Sequence, residues 1–448
     1  MTFPPLWSAE VEARVRAEAR NLDSQERPQE VRFCTRCVVS NQRPRIRFDD
    51  YGVCSACQYA ERKKYGRKHT DGKRWGIDWA AREAELKALL DKHRRSSGYD
   101  VIVPCSGGKD SSMIAYRLKH EYGMHPLCVR FAPFMETEIG RKNWESLGEE
   151  FDRLDFGPAG NLHRKLARLA FEFYGDPFQP FVYGQLAWPM WAAVDRDVGL
   201  VMYGENGEAE YGGDPAANDK PCWDTKDWDR VYSKGAGIEA LLAEGVHIGA
   251  IMEEESRAAS EFYRMPSLDP DVEVVLRPGT VAYTDVAAQF HWFGYYRRWH
   301  PQENYYYASE HTGFEANEER SEGTYSKYAS LDDKLDGFHY FMAFVKFGIG
   351  RATSDAAHEV RDGDITREEA IALVKRYDGE FPGRHLDECL DYLGMDRQQL
   401  EHVIDRFRAP HVWDCTGIVS GADGTTIFPV SRIWQLKHAV YDKETVAA

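Results

Sequence analysis

No stretch of this chain approaches the roughly 18 consecutive apolar residues that a membrane-crossing helix needs, and its first residues lack the charged-then-apolar order of a secretion signal. Membrane insertion is set aside on that ground, and a soluble, cytoplasmic protein is expected. Positive charge is scarce as well: 57 Lys and Arg stand against 73 Asp and Glu, for a formal net charge of −16. A chain so acidic repels polyanions, which argues against nucleic acid as its main partner. Internal repeats and low-complexity tracts are missing. The 448 residues, 43% of them hydrophobic, therefore read as an ordinary globular protein of about three domains with real cores.

Within that frame one short run is unusual. Ser106-Gly107-Gly108-Lys109-Asp110-Ser111 lies between an apolar strand and an amphipathic helix that stops at Gly123. Glycines let a backbone approach an anion closely, and a helix start offers free N–H groups and a favourable dipole. The hydroxyls of Ser106, Ser111 and Ser112 and the Lys109 ammonium add donors, so the run suits pyrophosphate. It is neither the Walker loop G-x-x-x-x-G-K-[ST] nor the dinucleotide fingerprint G-x-G-x-x-G. The competing reading is an ordinary glycine-rich turn.

Four of the nine cysteines form the pattern Cys34-x2-Cys37 and Cys54-x2-Cys57, with sixteen residues between the pairs. That spacing suits a tetrahedral four-thiolate zinc site. A disulfide pair and an iron–sulfur cluster are the alternatives that thiol ligands allow. With no further ligand in the segment, the zinc reads as structural. The other five cysteines are scattered and are expected to be buried thiols. The same segment is locally basic, with twelve Lys and Arg against four Asp and Glu over residues 31–74.

Along the chain, residues 1–30 form a polar segment, 31–76 the zinc module with a charged linker at its end, 77–300 an α/β core and 301–448 a mainly helical region. Asp78 caps a helix that runs to His93. In the core, strands at residues 100–104, 126–131, 153–156 and 199–203 alternate with helices near 111–122, 138–151 and 162–173. This rhythm implies a parallel sheet with ligands at the carboxyl ends of its strands. There the run at Ser106 meets a second polar loop, residues 204–214, bearing Glu205, Glu208, Glu210 and Asp214. That loop reads as a Mg²⁺-bearing or substrate-gripping element, or as an acidic surface turn. The stretch after it, to about Lys234 and including Trp223 and Trp228, is long enough for a lid or binding element. Beyond residue 301, Leu335, Phe338, Met342 and Val345 make an apolar helical stripe, and Thr366 with Glu369 forms a capping box.

The four-cysteine segment, VPCSGGKDSS, YGENGEAEYGGD and the long block SEGTYSKYASLDDKLDGFHYFMAFVKFGIGRATSDAAHEVRDGDITREEA occur in that order. Together, over roughly residues 33–407, they resemble the bacterial N-acetyl sugar amidotransferases of surface-polysaccharide and flagellar-glycan pathways, within the PP-loop ATP pyrophosphatases. The resemblance implies an α/β, parallel-sheet PP-loop domain of the adenine nucleotide alpha hydrolase-like (HUP-like) kind, with an N-terminal zinc module and a C-terminal helical domain. It implies an activity too: an acetamido group on a nucleotide-linked sugar becomes an acetamidino group, at the expense of ATP and with ammonia as nitrogen donor. Carried over by position, Ser106, Gly107, Gly108, Asp110, Ser111 and Ser112 bind the phosphates and Lys109 neutralises the departing pyrophosphate. Arg130 and Phe131 seat the adenine. Glu205, Asn206 and Glu208 hold Mg²⁺ or the sugar, and Lys327, Lys334, Lys346 and Arg351 are candidates to reach the phosphates.

No cysteine at position 2 and no Cys–His–Glu arrangement marks a glutaminase, so a separate glutaminase subunit is expected to supply ammonia. The main rival is a tRNA-modifying sulfur transferase, since some of these also place four cysteines before an SGGKDS loop. The basic zinc segment favours that rival; the net charge and the long C-terminal block oppose it.

Overall fold

The computed structural model describes residues 3–22, 26–64, 76–222, 227, 231, 237–264, 288–419 and 431–442. The charged linker at 66–75, Trp223 and Trp228 fall outside these. Five short apolar runs pair in parallel: β1 (Val101–Pro104), β2 (Pro126–Phe131), β3 (Arg153–Phe156), β4 (Leu200–Tyr203) and β5 (Gln289–Trp292), in the order β3-β2-β1-β4-β5. Alternate residues serve opposite faces. Val101, Val103 and Leu200 belong to one apolar cluster; Ile102, Leu127 and Val201 belong to the other, and both clusters are closed by helices. The order reverses direction between β1 and β4. In open parallel sheets this is where a crevice forms beyond the carboxyl ends of the strands.

Local chemistry sets the helix limits. Asp78 accepts from the N–H of Ala81 to start Trp79–His93, Thr137 accepts from Gly140 to start Glu138–Leu147, and Gly175 at φ 59° ends Gly160–Tyr174. The helix after β1 begins at Lys109, two residues before the start expected from periodicity, because Gly108 already has the extended geometry of an N-cap. Helix Gln179–Asp195 is buried on nearly every side despite Pro189 within it.

In the C-terminal third, helix Asp336–Phe347 is stopped by Gly348 at φ 64°, and the Thr366–Glu369 capping box opens Arg367–Tyr377. Helices Pro301–His311, Arg351–Asp362, Leu386–Leu393 and Arg397–Arg406 are also in this helical part. The chain then makes an antiparallel hairpin, β6 (Trp413–Val419) with β7 (Ser431–Leu436), beside the mainly helical pattern expected there.

Two attachments shape the crevice. Residues 331–335 are stitched to the connection after β2: the N–H of Thr137 donates to Asp332 O at 3.1 Å, that of Lys334 to Met135 O at 2.9 Å, and the Asp333 carboxylate accepts from the N–H groups of Phe134, Met135 and Leu335. The four-cysteine segment, with its helix Ser55–Lys64, shares an apolar cluster with Ala356, Ala357, Ala370 and Val374 of the C-terminal helices. Among the described residues, no helix is long and apolar enough to cross a membrane.

Candidate active site

A cavity of about 600 Å³ opens at the carboxyl ends of β1 and β4. Its core side is the run Ser106 to Asp110. Gly107 sits at φ 85°, and a methyl group there would lie 2.6 Å from the Trp144 nitrogen and 2.8 Å from the Asn143 carbonyl carbon, so only glycine fits. Gly108 caps the helix without a side-chain bond, so no cap side chain takes the first N–H groups of Lys109–His120 where that helix start lines the cavity. Lys109 is buried, pairs with the Asp110 carboxylate and lies 5.6 Å from the Tyr328 ring centre. Asn304 donates to the other oxygen of Asp110 at 3.0 Å. Asp110 is thus aimed by two neighbours.

Glu205 enters from the end of β4 and lines the same cavity. Burial first, then the Asp110 charge, pushes its carboxyl up to about 7, with Lys109 opposing. Gly207, Glu208 and Tyr211 also line the cavity, but Glu208 is committed elsewhere: Arg45 donates to both its oxygens at 2.8 Å, and the N–H of Asp214 donates at 2.8 Å. Asn206 does not line the cavity; its side chain accepts from the N–H of Glu208 and donates to Ala217 O, shaping the turn. Glu210 lies deeper, between Lys63 at 2.6 Å and His358 at 3.1 Å, tying the zinc segment's helix to helix Arg351–Asp362.

The facing wall comes from residues 326–364. Tyr328 stacks on Tyr305 with ring centres 4.4 Å apart and donates to Gln302 at 2.7 Å. Ser330 adopts a left-handed backbone at φ 56°, a strained geometry for a serine. Asp332 follows; burial and then the Asp336 charge raise its carboxyl to about 6, against the hydroxyl of Ser106 and the charge of Arg130. Arg351 lies over the Tyr340 ring at 4.3 Å and pairs with Asp355 at 3.0 Å. Burial would lower its pKa, but Asp355, Tyr340, Tyr211 and Asp336 together outweigh that and raise it. Lys346 donates to Tyr174 O at 3.0 Å, and His339 bonds Asp176 at 3.0 Å.

The cavity thus gathers Ser106, Gly107, Gly108, Lys109, Asp110, Glu205, Glu208, Lys346 and Arg351 of the residues picked from sequence. Others lie elsewhere. Ser111 donates to Gly108 O and Ser112 is buried in the helix. Arg130 pairs with Asp155 and Glu136, while the Phe131 ring packs among Phe156, His163, Phe181 and Tyr263, so neither side chain lines the cavity. Lys334 pairs with Glu388, and Lys327 donates to Glu318 O. Reading the sequence missed Arg43, Arg45 and Asp332. The paired aspartates at 332 and 333 were the visible signal for the last; the arginines were absorbed into a zinc module read as self-contained.

The four cysteines are buried and their sulfurs lie within 4.8 Å of one another, with Cys34 to Cys57 at 3.8 Å and Cys37 to Cys54 at 3.7 Å. Sulfurs about 2.3 Å from a central zinc in a regular tetrahedron lie about 3.8 Å apart, so the set fits that ion. The N–H groups of Arg36 and Cys54 donate to Cys34 Sγ at 3.4 and 3.3 Å, as thiolate ligands require for charge relief. Two of the basic residues around this cluster turn inward, Arg45 to Glu208 and Lys63 to Glu210.

Residues 322–421 match the family described as LPS biosynthesis protein WbpG-like, C-terminal domain. This stretch supplies the wall from Ser326 to Asp364. The match points to an enzyme of lipopolysaccharide biosynthesis. No curated protein matches the chain.

Proposed function

We propose that this protein is an ATP-dependent amidotransferase of lipopolysaccharide biosynthesis, converting an acetamido group on a nucleotide-linked sugar to an acetamidino group. One observation carries the reading: an anion-cradling loop, Ser106 to Lys109, and the wall contributed by the matched stretch line the same cavity. An amide carbon resists ammonia because its oxygen is a poor leaving group. Attack of that oxygen on the α-phosphorus of ATP breaks the bond to pyrophosphate and yields an O-adenylated imidate. Ammonia then adds to the imidate carbon, the C–O bond to AMP breaks, and a proton is released.

The residues suit these demands. The free N–H groups after Gly108, with Lys109, would receive the pyrophosphate as its charge develops. Asp110 and Glu205 would hold Mg²⁺, whose charge offsets the burial and the Asp110 repulsion that keep Glu205 near 7. Asp332, with its carboxyl at about 6, is suited to take the proton at neutral pH. Zinc in the four-cysteine cluster would be structural, and a separate glutaminase subunit would supply the ammonia. A sulfur transferase acting on tRNA gains no support, since the matched stretch points to lipopolysaccharide biosynthesis.

The direct test is to incubate the protein with ATP, Mg²⁺, ammonium and a panel of acetamido nucleotide sugars. The expected result is AMP formation together with a one-dalton loss in one sugar, as NH replaces O. AMP release without that mass change, or no turnover across the panel, overturns the proposal.

A further inference from the structure

The zinc segment presents the turn Arg43-Pro44-Arg45 to the cavity, and its two arginines meet different fates. Arg45 adopts a left-handed backbone at φ 65° and locks onto Glu208 through two bonds of 2.8 Å. Both oxygens of Glu208 are thereby taken, one of them also by the N–H of Asp214. Arg43 lines the same cavity, its guanidinium 5.6 Å from the centre of the Tyr211 ring. Among the described residues its side chain makes no hydrogen bond or ion pair, and its Nε is sealed from solvent without an acceptor.

The surroundings sharpen this. Arg45 and Arg361 both add positive charge near Arg43, with Glu208 the carboxylate set against them. Burial, reinforced by Arg361 and Arg45, lowers the Arg43 pKa below its ordinary value. A guanidinium with a sealed, unbonded Nε and no direct ion pair is costly, and its planar fork of donors matches phosphate oxygens. The turn is also held in advance: Pro44 restricts the backbone, and the Gln42 side chain donates to Pro28 O at 2.9 Å and accepts from His411 at 2.9 Å. Pre-setting a cation toward a cavity in this way is what an anion seat needs.

We infer that Arg43 seats a second phosphate group, the diphosphate bridge of the nucleotide-linked sugar, at a position distinct from the Ser106–Lys109 loop. This deepens the function proposed above and rests on it for the identity of the ligand. It makes the zinc segment a wall of the substrate site, and the four-cysteine cluster the brace that holds Arg43 in place. The other source of the same chemistry is ATP itself, whose phosphates Arg43 would then share with Lys109.

Binding measurements on the full chain separate these without requiring turnover. The loop is filled with saturating Mg²⁺ and α,β-methylene-ATP, whose α–β bridge cannot be cleaved, and inorganic pyrophosphate is titrated in by calorimetry. Wild type takes up pyrophosphate on top of the analogue. R43Q weakens that second event by about tenfold or more, and R43K by less, while affinity for the analogue changes little in either. K109A shows the reverse pattern, with weakened analogue binding and pyrophosphate uptake retained. Absence of a second event in wild type, or an R43Q defect confined to the analogue, overturns the inference. Either result leaves the amidine-forming activity to be judged by its own assay.

Discussion

The loop Ser106 to Asp110 and the segment Ser326 to Asp332 both line the cavity, but they keep their shapes by different means. The loop is set by its neighbours in sequence: a strand delivers it, Gly107 makes the left-handed step and a helix starts at once. The segment is set from a distance, by Tyr305 under Tyr328, by the strained turn at Ser330, and by Asp333 gripping N–H groups nearly two hundred residues earlier. A nucleotide cradle built locally can recur on many chains. A wall built by tertiary stitches is particular to one family, which fits its place inside the matched stretch.

Variants on the two walls should therefore fail differently. The largest effect is expected for Lys109→Ala, which should lower pyrophosphate release by about 100-fold or more while leaving the melting temperature unchanged. Normal turnover in that variant would remove Lys109 from the chemistry. Next comes Cys34→Ser, which should abolish bound zinc in metal analysis and lower the melting temperature, because the cluster shares its apolar packing with the C-terminal helices. Unchanged metal content would refute the assignment. Asp333→Ala should cost about 1–3 kcal/mol in urea denaturation, since it strands buried N–H groups of Phe134 and Leu335; a neutral result would show that the stitch does not hold the wall.

The smallest expected effect concerns pH. Burial alone would raise the Glu210 carboxyl, but Lys63 and His358 outweigh it and hold it at about 2, against an ordinary value of 4.5. A depressed carboxylate stabilises the fold fully above its unfolded pKa, and that contribution fades as pH falls from 4.5 through about 2. Glu210→Gln should flatten the loss of stability across this window in denaturant titrations at stepped pH. A variant as acid-sensitive as wild type would show that Glu210 carries no such linkage.

Much of the core was legible because it is local. The four strands β1 to β4 announce themselves as short apolar runs between helical stretches, and the cradle lies at the end of the first. Strand β5 escaped notice because four residues, Gln289 to Trp292, carry no pattern of their own. Helix Gln179–Asp195 was hidden for the opposite reason: burial on nearly all sides erases the periodic stripe by which helices are found. In the site, charge was the misleading cue. Lys327 and Lys334 look like phosphate ligands in sequence and Arg130 like part of an adenine seat, yet each is occupied by a nearby carboxylate or carbonyl. Arg43 and Asp332 reach the cavity only because distant segments dock, and a single sequence does not display docking.

The claim on which the account rests is that the amide oxygen leaves on AMP. Turnover of an acetamido sugar labelled with ¹⁸O in its amide, analysed by mass spectrometry of both products, tests this directly. The account predicts that the label is found in the phosphate of AMP and is absent from the acetamidino sugar. Unlabelled AMP alongside the amidine product would contradict it.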